Sequence, residues 1–96
     1  MDQVFEGTPK AEIRLEGRKV IRGEVSNDWG SRLQWKVRRD GKDIATVLAR
    51  VDLAYEHTDK TPGTYEIVLE MWQYEGYKNK DHGKYVEISN KVSYKV

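Results

Sequence analysis

The chain has 96 residues, 38% hydrophobic and 34% charged, with 17 basic side chains against 16 acidic ones and a net charge of +1. That length is one domain with a thin core under a heavily charged surface, and the interspersed charge carries none of the basic excess that nucleic-acid binding uses. Cysteine is absent, which excludes disulfides, thiol nucleophiles and zinc–thiolate centres, and no apolar stretch is long enough for a membrane-spanning helix.

Residues 1–10 read as a linker passing into a first strand, punctuated by Gly7 and Pro9. A polar start after Met1, with no signal peptide, suggests a module taken from a longer protein. The domain itself is expected over residues 11–96. Ala11–Leu15 alternates, with Ile13 and Leu15 on one face, and Glu16-Gly17-Arg18 turns the chain. Val20–Val25 returns, and its alternation puts Ile21, Gly23 and Val25 together on one face. Ser26-Asn27-Asp28-Trp29-Gly30 is a dense turn cluster.

Leu33, Trp35 and Val37 alternate against Gln34, Lys36 and Arg38, and Asp40-Gly41 supplies the positive φ of a tight hairpin. Lys36, Arg38 and Arg39 form the densest basic spot, read as a solvated strand face. Ile44–Leu48 and Val51–His57 are two further extended segments. Ala45–Ala54 also carries apolar residues at helical spacing, but β-branched residues interrupt it and a lone helix would break the strand rhythm. Tyr65–Tyr74 and Tyr85–Val96 are the longest and clearest strands. Turns every 8–12 residues between short alternating strands predict an all-β, two-sheet antiparallel sandwich of about seven strands.

Four stretches resemble immunoglobulin-like domains, including bacterial immunoglobulin-like and polycystic-kidney-disease-like modules. Ile21-Arg22-Gly23-Glu24-Val25 matches the second strand with Gly23 in the cysteine position, and Trp35 matches the buried tryptophan of the third. Gly63-Thr64-Tyr65-Glu66-Ile67 matches the Gly-x-Tyr-x-Cys opening of the sixth strand with Ile67 in the cysteine position, and Pro62-Gly63-Thr64-Tyr65 matches a polycystic-kidney-disease-like strand start. The resemblance implies that Gly23 and Ile67 fill the volume of an absent disulfide beneath Trp35. It also implies that the Tyr65 hydroxyl turns back onto the preceding corner's backbone. The expected structural core is therefore Gly23, Trp35, Tyr65 and Ile67. The missing cysteine pair is the departure from the family pattern, and it rules out an antibody-type domain.

Nothing in the chain reads as catalytic. The histidines are His57 and His82, and no Gly-x-Ser-x-Gly elbow, phosphate-binding loop or His-Glu-x-x-His helix is present. His57 reads as a strand-end surface residue beside Asp59. Asp28 and Asp81 read as turn residues, with no calcium-loop spacing around them, so no metal or cofactor is expected. The one constellation suited to recognition is aromatic. With Tyr65, Ile67, Leu69 and Met71 inward, Trp72 and Tyr74 turn outward or toward the loop end. There the immunoglobulin topology would gather Trp29, Trp72, Tyr74, Tyr77 and His82. Plugging of the sandwich end and cross-strand pairing are the plain alternative for those rings.

The resemblance implies a non-catalytic accessory module of a larger extracellular or cell-surface protein, bacterial in kind and monomeric when isolated, that spaces or docks neighbouring domains. A carbohydrate-binding module using the loop-end aromatics is a second expectation. A protein-recognition domain using an exposed strand edge is a third.

Overall fold

The computed structural model describes residues 9–28, 30–50, 53–74 (residue 74 without its side chain) and 83–96. Among them are eight strands: β1 (Ile13–Glu16), β2 (Lys19–Arg22), β3 (Leu33–Arg39), β4 (Lys42–Leu48), β5 (Ala54–Glu56), β6 (Thr64–Tyr74), β7 (Gly83–Glu87) and β8 (Val92–Lys95). They form two antiparallel sheets, a three-stranded one in the order β1-β2-β5 and a five-stranded one in the order β4-β3-β6-β7, with β8 also paired to β6. Ile13 and Val20 of the first sheet and Leu33, Trp35, Val37, Tyr65, Ile67, Leu69 and Met71 of the second share one buried cluster. The fold is thus an all-β sandwich, and the Ala45–Ala54 stretch supplies β4 and β5 at its two ends.

Turn chemistry sets the hairpins. Asp40 and Gly41 both have positive φ, 51° and 81°, and join β3 to β4 with Arg39 opposite Lys42. Such a mirror-image turn matches the strand twist and strongly favours an Asp-Gly pair. Gly17, at φ 62°, opens the two-residue turn between β1 and β2.

That second turn corrects the expected phase of β2. A two-residue loop pairs Leu15 with Val20 and Ile13 with Arg22, and directly opposed residues of an antiparallel pair share a face. Val20 and Arg22 therefore face the core, at 0% and 9% exposure. The strand ends at Arg22, and Gly23 is exposed, its N–H donating to the Glu12 carbonyl. A Cβ at Gly23 would meet nothing nearer than that carbonyl oxygen at 4.0 Å. Gly23 is not a core residue and does not stand opposite Ile67 in place of a cystine. Trp35, Tyr65 and Ile67 are each fully buried.

The long C-terminal strand is interrupted. β7 pairs with the second half of β6 and β8 with the first half. Between them Ile88 N–H donates to the Leu69 carbonyl, and the Ser89 hydroxyl accepts the Leu69 N–H at 2.9 Å. Asn90 then turns its side-chain amide to β1, accepting from Ile13 N–H and donating to Ile13 C=O, both at 2.9 Å. One side chain thus takes the place of a strand partner and ties the two sheets together at this edge.

Candidate functional site

Along β6, alternation sends Tyr65, Ile67, Leu69 and Met71 inward, all at 0% exposure, and therefore Glu66, Val68, Glu70 and Trp72 onto the sheet's outer face. Registry with β3 and β7 aligns these residues in rows. Gln34, Glu70 and Glu87 stand side by side across three strands. One row further on, Trp72 is opposite Tyr85, and the backbone N–H of Trp72 donates to the carbonyl of Arg32. The indole meets the Tyr85 ring edge-on, centroids 5.2 Å apart, and carries the Arg32 guanidinium over it at 5.7 Å. The Ser31 hydroxyl donates to the Trp72 carbonyl at 2.6 Å. Gly83 leaves space for this packing, since a Cβ there would strike the Gln73 carbonyl and come within 3.1 Å of the indole.

Beyond these rows the face is an ion-pair ladder. Arg38 reaches Asp43 at 2.8 Å, Glu66 at 3.3 Å and Glu87 at 3.6 Å, while Lys36 reaches Asp43 at 3.0 Å. The cations expected to form a solvated face are thus mostly neutralised in place. Arg38, hydrogen-bonded to Asp43, lowers that carboxyl below its usual range.

Of the expected aromatic constellation, the structure places only Trp72 in full. Trp29, Tyr77 and His82 lie outside the described residues, as do the side chain of Tyr74 and the whole of Asp81. Sequence reasoning did not single out Gln34, Glu70 and Glu87, because their alignment depends on pairing between strands far apart in the chain.

At the opposite end His57 departs from expectation. It is 7% exposed, and Tyr65 and Tyr94 flank its ring at 4.5 and 5.0 Å. The Nδ1 atom lies 2.7 Å from the Tyr94 hydroxyl, and Nε2 is buried with no partner among the described residues. Burial raises the pKa of the Tyr94 hydroxyl. The Tyr65 hydroxyl donates to the Thr61 carbonyl at 2.7 Å, the backbone corner expected of it. The His57 ring meets both tyrosines edge-on while Tyr65 and Tyr94 stack on each other, and the three rings together close this end of the core.

Asp28 is a turn residue held by charge. Its carboxylate takes two 2.7 Å hydrogen bonds from Arg50 and one from the Gly30 N–H, and the Arg50 hydrogen bonds hold its pKa below the usual carboxylate value. A depressed folded-state pKa contributes stability that is present above the unfolded value, near 3.9, and lost as pH falls through the folded one. Asp28→Asn should therefore cost about 1 kcal/mol at neutral pH, the pair being one-third exposed and screened. Urea midpoints of variant and wild type should converge near pH 2. An equal gap at both pH values would assign the loss to something other than the ion pair.

No protein-family model matches the chain, and neither a curated protein nor a solved structure does.

Proposed function

We propose that the chain is a non-catalytic, immunoglobulin-type accessory module of a larger extracellular or cell-surface protein, and that it docks a protein partner by strand addition at β4. The strand order supports the architecture. A β1-β2-β5 sheet facing β4-β3-β6-β7 corresponds to strands A, B and E over C′, C, F and G of an immunoglobulin-type sandwich. The Tyr65 hydroxyl on the Thr61 carbonyl matches the tyrosine corner of such domains, with Ile67 two residues later.

The observation that carries the docking role is the state of β4. It ends its sheet, and all seven of its residues are exposed. Ile44, Val47 and Leu48 are 37%, 41% and 73% exposed. Its charged residues, Lys42 and Asp43, both stand at the turn end, so the remaining edge lacks the charges that usually discourage pairing. The Ala49 N–H donates to the Leu33 carbonyl, which makes that a hydrogen-bonded pair. Alternation then leaves Thr46 and Leu48 in non-hydrogen-bonded pairs with Lys36 and Gln34, their N–H and C=O groups turned outward. An extended segment of a partner can bond there without disturbing β3.

Thr46→Pro tests this, because proline removes the outward N–H alone and is tolerated on an edge strand at such a position. Extended peptides selected from a displayed random library on the wild-type chain should bind Thr46→Pro at least about tenfold more weakly. Leu48→Lys should have the same effect, and Trp72→Ala should leave binding intact. Selection of no peptide, or of peptides indifferent to both β4 substitutions, would overturn the docking role.

A further inference from the structure

We infer that the outer face of the five-stranded sheet, at its Trp72 end, is a binding site for a neutral oligosaccharide. It is a site on the sheet face and does not depend on strand addition at the β4 edge, although Leu48 borders its polar row opposite Gln34.

The two rows already described supply complementary chemistry. Arg32, Trp72 and Tyr85 form one row, and Gln34, Glu70 and Glu87 the next. Neighbouring strands lie about 4.8 Å apart, and successive same-face residues about 6.7 Å apart. A pyranose ring resting on the aromatic row therefore extends its equatorial hydroxyls over the polar row. Ring C–H groups meet an aromatic face, while hydroxyls donate to carboxylates and accept from the guanidinium.

Stability alone does not account for the polar row. Glu70 is a carboxylate only 8% exposed, on a part of the outer face where Gln34 and Val68 are also buried, at 9% and 1%, and it accepts the 2.8 Å hydrogen bond donated by the Gln34 amide. It stands directly opposite Glu87, and like charges so placed weaken a sheet. The cations that reach Glu87, Arg38 at 3.6 Å and Lys91 at 3.8 Å, come from farther along the face. An acceptor-rich spot kept beside an aromatic one, against local stability, marks a site selected for something other than folding. Two carboxylates disfavour acidic sugars and nucleic acid, and the Arg32 guanidinium over the indole disfavours a cationic ligand, so neutral sugars are the fitting class.

The aromatic platform is preorganised. The backbone N–H and C=O of Trp72 are bonded to Arg32 and Ser31, and Gly83 admits the ring against the start of β7. The Arg32 side chain is exposed, so its contact over the indole is of the weak, solvent-exposed kind. A sugar ring can displace it and accept hydrogen bonds from the freed guanidinium.

The test titrates the whole chain with neutral hexasaccharides of gluco, xylo, manno and galacto configuration, up to about 5 mM, a range that detects millimolar dissociation constants. Tryptophan fluorescence and the indole N–H resonance of Trp72 serve as readouts. At least one sugar should give a saturable response. Trp72→Ala and the isosteric Glu70→Gln should each weaken it by about tenfold or more, as loss of a central contact does. Glu87→Lys should weaken binding by about tenfold or more. It trades the repulsion from Glu70 for the loss of the exposed pairs with Arg38 and Lys91, so its melting temperature should stay within a few degrees of wild type. A variant that folds and binds poorly keeps the test decisive even if Trp72→Ala fails to fold. Absence of a saturable response to any of the sugars would overturn the inference. So would binding that survives both Glu70→Gln and Glu87→Lys.

Discussion

Trp35→Ala should destabilise the domain by about 3–5 kcal/mol, the cost of emptying a large aromatic site in a close-packed core. Trp35 is fully buried at the centre of β3, between Val47 of β4 and Leu69 of β6. Domains of this size are stable by roughly 5–15 kcal/mol, so the loss takes a large share of the total. A fall in melting temperature on the order of 20 °C is expected. The indole N–H is buried without a hydrogen-bond acceptor among the described residues, so the ring stabilises by volume and contact alone. Trp35→Phe should accordingly cost only about 1–2 kcal/mol. Thermal melts of the two variants check both figures. A Trp35→Ala melt within a few degrees of wild type would show that the ring is not what holds the sheets together.

Arg22→Ala is expected to cost about 2–4 kcal/mol, through polar groups and not through apolar volume. Arg22 faces inward on β2, and its guanidinium donates to three carbonyls: Ala49 at 3.0 Å, Gly23 at 3.1 Å and Arg50 at 3.1 Å. These acceptors lie where β2 ends and where the chain leaves β4 for β5. Removing the donor leaves partly buried carbonyls unpaired, which costs more than the hydrogen bonds were worth on balance. Burial, followed by the charge of nearby Arg50, lowers the pKa of the guanidinium, but an arginine stays protonated throughout the working range of pH. The effect should therefore not depend on pH. Arg22→Lys should restore little, because an ammonium cannot span three diverging carbonyls as a planar fork does. Urea unfolding of the two variants decides it. A midpoint for Arg22→Ala within about 0.5 kcal/mol of wild type, or full rescue by lysine, would contradict this role.

The two residues differ in how far they could be read from the chain alone. Trp35 sits in an unbroken Leu33-Gln34-Trp35-Lys36-Val37 alternation between turn signals, and such a run has only one apolar face. Arg22 lies in a segment with apolar residues in both phases, Val20 in one and Ile21 and Val25 in the other. The two-residue Gly17-Arg18 turn resolves the choice, because it pairs Leu15 with Val20. The turn was read over three residues, Glu16-Gly17-Arg18, which counts Ile13 onto Ile21; the two-residue turn that forms shifts that count by one and takes Gly23 off the core face. Resemblance to a cysteine-bearing strand pointed to the opposite phase. His57 was hidden for a different reason. It is buried because Tyr65 and Tyr94, distant in sequence, meet around it with their rings 5.6 Å apart and nearly parallel.

Local chemistry, then, was sufficient for the class of fold: residue-by-residue alternation defines strands, and Asp40-Gly41 and the glycine turn after Leu15 mark hairpins. These depend on backbone sterics and period, which act over a few residues. Which strand ends a sheet, and which side chains of non-consecutive strands share a row, depend on how the sheets assemble. The exposed edge of β4 and the alignment of Gln34, Glu70 and Glu87 beside Trp72 were therefore decided by tertiary structure alone, because an alternating strand specifies its two faces but not its neighbours.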